Sequence, residues 1–265
     1  MTTPVIARFW RHGLLLLIGV GSLVLLLTRP PLAQDLRYHH FADRRLLLGV
    51  PNFSDVASNI PFLFVGIAGL TLGLRSRFAG GSVSWTVFFG AVALVSLGSA
   101  YYHWRPDNNT LVWDRLPMTM GFMAMFVAIL SESIDERLGR LFLAPALIAG
   151  CASAIYWHFT DDLRFYAWVQ FMPLLTIPVV MALFRSRYSH QWFLLPALGC
   201  YVLAKVFEVS DHEIFAVTHH AFAGHAIKHL FAALGCFVIL EMLRRRKTLQ
   251  DITTACGRSG QASAR

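Results

Sequence analysis

Residues 83–103 read VSWTVFFGAVALVSLGSAYYH, a run without Asp, Glu, Lys or Arg that ends on a histidine. A helix rises 1.5 Å per residue and the hydrocarbon core of a bilayer is about 30 Å thick, so this run is a membrane span. Working outward, seven more apolar runs have that character, at about 13–28, 56–74, 112–130, 141–159, 166–184, 191–209 and 218–243. The chain of 265 residues is 56% hydrophobic and only 14% charged, against roughly 25% charged in soluble domains. The expected fold is therefore all-α: a polytopic transmembrane bundle of seven core helices plus one extra N-terminal helix. The net charge of +8 does not point to nucleic acid. Its basic residues stand in short clusters between apolar runs, where topology signals stand.

Breakers separate the runs. Arg29-Pro30-Pro31 ends the first, Gly80-Gly81-Ser82 parts the second from the third, and Arg105-Pro106-Asp107-Asn108-Asn109 makes a tight turn before the fourth. Asp161-Asp162 parts the fifth from the sixth. The first run is short and follows Arg8 and Arg11, as in a signal peptide cleaved near Ala33. Pro30-Pro31 and Leu32 fit a cleavage site badly, which favours a retained helix. Residues 1–33 are thus expected to hold a cytoplasmic stub and an extra helix or uncleaved anchor, 34–245 a seven-helix domain, and 246–265 a disordered cytoplasmic tail. Cys151, Cys200, Cys236 and Cys256 form no CxxC pair, so they read as small packing residues rather than a disulfide framework or a thiolate zinc site.

Lys and Arg placement sets the orientation. An inside N-terminus leaves Arg75/Arg77, Arg137/Arg140, Arg185/Arg187 and Arg244-Arg245-Arg246-Lys247 inside with Arg8/Arg11. The one exception is the outer loop with Arg29, Arg37, Arg44 and Arg45. Both termini are then cytoplasmic, and the short basic loops suggest a bacterial inner membrane. On this topology His103, Asp114, His225 and His229 all fall near the outer face. Ionisable residues at membrane depth are costly, face a protein interior or wet cavity, and point to function.

His225-Ala-Ile-Lys-His229 sets two imidazoles at i and i+4, on one helix face within reach of one ion. With His103 from another helix they make three neutral nitrogen donors, the ligand set of a zinc site that keeps a fourth position for water. An HxxxH pattern alone is weak. Ser99 stands four residues before His103, so its hydroxyl lies on the same face; alone, it reads equally as a serine packing helices. Asp114 reads either as an N-cap or first-turn carboxylate, or as an acid/base group beside a metal.

Taken together, Ser99-x3-His103, Asp114 and His225-x3-His229, with Ser58-Asn59-Ile-Pro-Phe and Trp113-Asp114-Arg-Leu-Pro-Met, resemble the alkaline ceramidase family. That family sits in a superfamily of seven-helix membrane hydrolases that includes adiponectin-receptor-like proteins. The resemblance covers about residues 40–245. It implies zinc on His103, His225 and His229, Ser99 near the developing oxyanion, and Asp114 as the proton-transfer group. It implies hydrolysis of the N-acyl amide of ceramide, giving a sphingoid base and a fatty acid, with the lipid substrate drawn from the bilayer. Eukaryotic members have an acidic calcium site before the first core helix. Here Asn52 stands where the family has a glutamate, Asp43 does not align with the acidic cluster, and Arg44 and Arg45 lie inside the loop. Calcium is not expected, and Asp43, Asn52 and Asp55 read as turn and cap residues.

Lys228 lies about 100° around the helix from His229 and is expected to point elsewhere, pairing with Glu208 or Asp211 to lock helices seven and eight. His219 and His220 read as interfacial residues, and His158 with Asp161/Asp162 as the outer rim of helix five. Trp85, Tyr101, Trp104, Trp113, Trp157 and Trp168 read as interfacial anchors. Two other functions stay open: a non-enzymatic receptor or carrier with a structural zinc, which needs neither Ser99 nor Asp114, and a hydrolase of another lipid acyl bond such as an ester.

Overall fold

The computed structural model describes residues 5–76, 78 and 83–250, with side chains from Phe9 onward. Arg8, Arg77, the Gly80-Gly81-Ser82 joint, Cys256 and the tail beyond residue 250 lie outside the described side chains. Among the described residues the helices are α1 Val5–Leu27, α2 Phe53–Ala57, α3 Ile60–Leu74, α4 Val83–Trp104, α5 Asn108–Ser133, α6 Glu136–Thr160, α7 Arg164–Leu183, α8 Leu194–Val209, α9 Asp211–Val217 and α10 Gly224–Arg245. Eight segments are long and apolar enough to cross a membrane, α2 and α3 together forming one. The protein is an all-α polytopic bundle.

Local chemistry moves several ends away from where hydropathy alone puts them. α5 begins at Asn108, four residues before the apolar run, because Asp107 caps it: Asp107 Oδ1 accepts from the Thr110 N–H at 2.7 Å, and the Asp107 N–H donates to Thr110 Oγ1 at 3.1 Å. The turn between α4 and α5 is correspondingly shorter than the sequence suggests. Asp135 caps α6 in the same way through the Arg137 N–H. The expected final helix over 218–243 starts only at Gly224. Asp211–Val217 forms its own short helix, and His219 and His220 take left-handed backbone conformations (φ 52° and 64°) in the exposed turn that follows.

Helices α3 to α7 pack in chain order, and α10 returns between α3 and α8. α5 is the most buried span and touches α4, α6 and α7. α1 lies outside this bundle against α7, where the Trp168 Nε1–H donates to the Gly19 carbonyl at 3.0 Å. Its Leu16, Leu17, Val24 and Leu25 face outward. The segment after α1 is strapped over the α6–α7 joint: the Leu163 N–H donates to Leu32 O at 2.8 Å, and the Gln34 N–H to Asp161 Oδ1 at 3.0 Å. Asp162 accepts from Arg164 at 2.7 Å in the same joint.

Two expected anchors are core residues instead. Trp85 is fully buried and donates to Glu132 Oε1 at 2.6 Å; Arg246 Nη1 reaches the same oxygen at 2.7 Å and its guanidinium covers the Tyr188 ring. An indole near a helix end satisfies an interface or a buried carboxylate equally well, and here the carboxylate has it. Trp157 is also buried, at the opposite end of the bundle. Tyr101, Trp104 and Trp113 are exposed, as anchors are. Cys151, Cys200 and Cys236 are half-buried free thiols.

One contact sets the spacing of α4 and α5. A Cβ on Gly98 would stand 2.1 Å from the Trp113 carbonyl oxygen. Only a residue without a side chain lets the helices approach there, beside Ser99 on one and Asp114 on the other. Gly98→Ala must push the helices apart; it is expected to destabilise the protein by about 1–3 kcal/mol, the scale of overpacking, read as a lowered Tm in detergent. The Arg164 guanidinium beside Asp162, ahead of the opposing effect of burial, holds its carboxyl down to about 2 from the ordinary 3.8. Its stabilisation is present above about pH 4 and is lost as pH falls through about 2. Asp162→Asn should therefore lower Tm at neutral pH and flatten its fall between pH 4 and 2.

Candidate metal centre

His103 is the penultimate residue of α4, and His225 and His229 lie in the first turns of α10, so the three reach one end of the bundle. They are 0%, 3% and 4% exposed. Their ring centroids stand 4.8, 4.9 and 5.0 Å apart, and one donor nitrogen from each falls within 4.8 Å of the others. This is the one such group among the described residues that could hold a metal ion. The expectation that side chains from two distant stretches converge is met.

These residues fit zinc chemically. Both ring nitrogens of His103 are buried without a hydrogen-bond partner, a costly condition for a polar group and one that a metal relieves. Neutral imidazole is a preferred zinc donor, and three such donors leave room for a fourth ligand.

Neighbours orient each ring. Ser58 Oγ bonds His229 Nδ1 at 2.8 Å, which leaves Nε2 as that ring's free donor atom. The Asn52 side-chain amide donates to the His103 carbonyl at 2.8 Å. α10 has no side-chain cap of its own. Asp211, from α9, takes that role: its Oδ1 accepts from the His225 N–H at 2.8 Å, and its Oδ2 from the Ala42 N–H at 2.9 Å. The Phe41 ring packs on His103 and His225 with centroids 4.7 and 4.6 Å away. A Cβ on Gly224 would stand 2.4 Å from the Phe207 carbonyl oxygen, so glycine is what allows α10 to enter beside α8.

Lys228 pairs with Glu208 at 2.8 Å, and Lys205 pairs with the other oxygen of the same carboxylate. The expected lock between helices seven and eight is therefore present through Glu208, not Asp211. The expectation that Lys228 points away from the histidines is corrected: its Nζ donates to His225 Nε2 at 2.9 Å. Residues 225 and 228 are three apart and share a face, so the angle to His229 does not decide where Lys228 points.

Ser99 and Asp114 are buried, and the Ser99 hydroxyl interacts with the Asp114 carboxylate across the α4–α5 contact. Asp114 is not an N-cap or first-turn residue, because Asp107 caps α5 and places Asp114 on the second turn. Both line a cavity of about 400 Å³ between α4, α5, α7, α8 and α10. His229, Lys205, Glu208 and Lys228 join them at its polar end, and the remaining wall is largely apolar, including Phe88, Ile177 and Ile239. Both α7 and α8 line the cavity, and the Gln170 amide of one donates to the Tyr201 hydroxyl of the other at 2.9 Å.

In the loop that resembles a calcium site, burial opposes ionisation of Asp43, but hydrogen bonds from Arg45 and Ser54 hold its carboxyl down to about 2. The Arg45 guanidinium lies 2.7 Å from it. A cation of the protein's own thus occupies that carboxylate. Asn52 is the left-handed residue preceding α2 rather than a side-chain cap. Asp55 is fully buried on α2. The supporting roles of Ser58, Asn52 and Asp211 escape local sequence reading, since none is close in sequence to the ring it holds.

Among known proteins, the family model described as Ceramidase matches residues 50–255, a stretch holding all five residues of the site and none of α1. No curated protein gives a match. Because Asp211 acts on the backbone of a candidate ligand, Asp211→Ala is expected to weaken zinc binding about 10–100-fold, measured by competition with a chromophoric chelator, while the protein remains folded by circular dichroism.

Proposed function

This chain belongs to the ceramidase family, and we propose that it is a zinc-dependent membrane amidohydrolase that cleaves the N-acyl amide of ceramide or a ceramide-like lipid. The observation that carries this reading is the convergence of three buried imidazoles on one point, one of which, His229, lines the polar end of an apolar cavity together with Ser99 and Asp114. In this reading residues 34–245 are the hydrolase domain, α1 is an added anchor, both termini are cytoplasmic and the site opens near the outer face.

His103, His225 and His229 would hold the zinc, which when bound supplies a Lewis acid and a water of lowered pKa. The chain's own residues do the rest. The apolar wall takes the acyl chain and excludes bulk water, which strengthens the electrostatics at the polar end. The Ser99 hydroxyl donates to the oxygen that becomes negative as the carbonyl turns tetrahedral. Asp114 accepts the proton of the attacking water and delivers it to the leaving nitrogen, so that amine and fatty acid separate. The cavity walls contributed by α7 and α8 are apolar, as lateral entry of a lipid from the bilayer requires.

Purified full-length protein in detergent is expected to carry about one zinc per chain and to release fatty acid from N-acyl sphingoid lipids. His225→Ala with His229→Ala should abolish both. Asp114→Asn should keep the metal and lose about 10²–10⁴ of the rate. Turnover that survives Asp114→Asn or chelation sinks the mechanism; metal without any turnover favours a carrier, and faster cleavage of matched esters favours a different acyl bond.

A further inference from the structure

Arg115 follows Asp114 in α5 and lines the same cavity. It is only 6% exposed, yet it joins no ion pair among the described residues. One edge of the guanidinium is held: Nη2 donates to the Gln34 side-chain oxygen at 2.6 Å, from the strap that follows α1. Two rings lie against the guanidinium, with Cζ 3.9 Å from the centroid of Trp157 and 4.5 Å from that of Tyr166, whose hydroxyl also interacts with it. Nη1 is buried with no hydrogen-bond partner. The group is therefore a fixed cation with an unspent donor.

A buried charge without a counter-charge is unfavourable unless something else meets it, and inside a membrane protein it marks a ligand path. No carboxylate of the cavity stands at ion-pair distance from it among the described residues: Glu208 is taken by Lys205 and Lys228, and Asp114, which feels the Arg115 charge from the next position in the chain, has its hydrogen bond from Ser99. Three cations thus share the wall with two carboxylates. Position fixes which part of a ligand arrives there. Trp157 closes α6, Tyr166 opens α7 and Gln34 belongs to the strap, all at the same end as the three histidines. The apolar wall suited to an acyl chain runs the other way along the bundle, toward Ile177 and Ile239.

We propose that Arg115 reads the amine-side headgroup, and that the preferred substrates are N-acyl amides carrying an oxyanion there, a phosphate or a carboxylate. This rests on the hydrolase reading above. A guanidinium suits such an anion because its donors form a planar fork matched to paired oxygens. Stacking and the Gln34 bond fix that fork before the ligand arrives, so little rotamer entropy remains to be lost.

The test compares kcat/KM of the full-length protein on matched pairs: an N-acyl sphingoid base against its 1-phosphate, and an N-acyl amino acid against its methyl ester. The anionic member of at least one pair is expected to be favoured about tenfold or more, the scale of a hydrogen bond to a charged group. Preference in one pair alone identifies phosphate or carboxylate as the source. In Arg115→Gln the ratio should fall toward one, whatever happens to the common rate. Arg115→Lys, which keeps the charge but not the fork, should retain part of it, and serves if the glutamine variant does not fold. A wild-type chain with no anionic preference in either pair, or a ratio unchanged in both variants, overturns the proposal. If no substrate turns over, the hydrolase reading fails separately, and binding of dodecyl phosphate against dodecanol decides. Tighter binding of the phosphate that Arg115→Gln removes supports the assignment; equal binding of the two overturns it.

Discussion

Both ring nitrogens of His103 are buried inside the bundle, and neither finds a hydrogen-bond partner in the protein. Two more imidazoles, from α10, are turned onto the same point, where one bound ion would relieve that cost. Around it the structure is built inward. Asn52 holds the backbone of the first histidine, Asp211 the backbone of the second and Ser58 the ring of the third. These three come from three separate elements: the loop before α2, the short α9, and the joint between α2 and α3.

The same constraint explains the division of the bundle into two ends. At the end opposite the histidines, Glu132 is satisfied by Trp85 and Arg246, and the polar groups cancel one another. At the histidine end they do not cancel. Ser99 and Asp114 are pressed together by the Gly98 contact, Lys228 is shared between Glu208 and His225, and Arg115 keeps an unbonded nitrogen. A network left incomplete beside an apolar cavity is what binding requires, since a ligand supplies the missing partners.

Much of this was legible in the residues themselves. The eight spans follow from length and polarity, and HxxxH places two rings on one face because helical periodicity is local. Where an end was misjudged, a cap outside the apolar run had extended the helix, as Asp107 does for α5, or a polar turn had cut it short, as at His219 and His220. Trp85 and Trp157 depart from the expected interface because hydropathy does not distinguish an indole there from one that donates to a buried carboxylate, as Trp85 does, or lies against a buried guanidinium, as Trp157 does. Lys228 lies off the face of His229 but on that of His225, which is the ring it meets.

The linear chain by itself determined the class of fold, the number of crossings and the spacing of His225 and His229, because each depends on composition and on a repeat only a few residues long. Tertiary structure alone decided that Asp211 would cap α10 rather than pair with Lys228, that Asn52 would hold His103, and that Arg115 would be stacked between rings from two other helices with one donor left over. Those outcomes depend on which backbone surfaces come close enough to touch, and that closeness was set by the packing of whole helices.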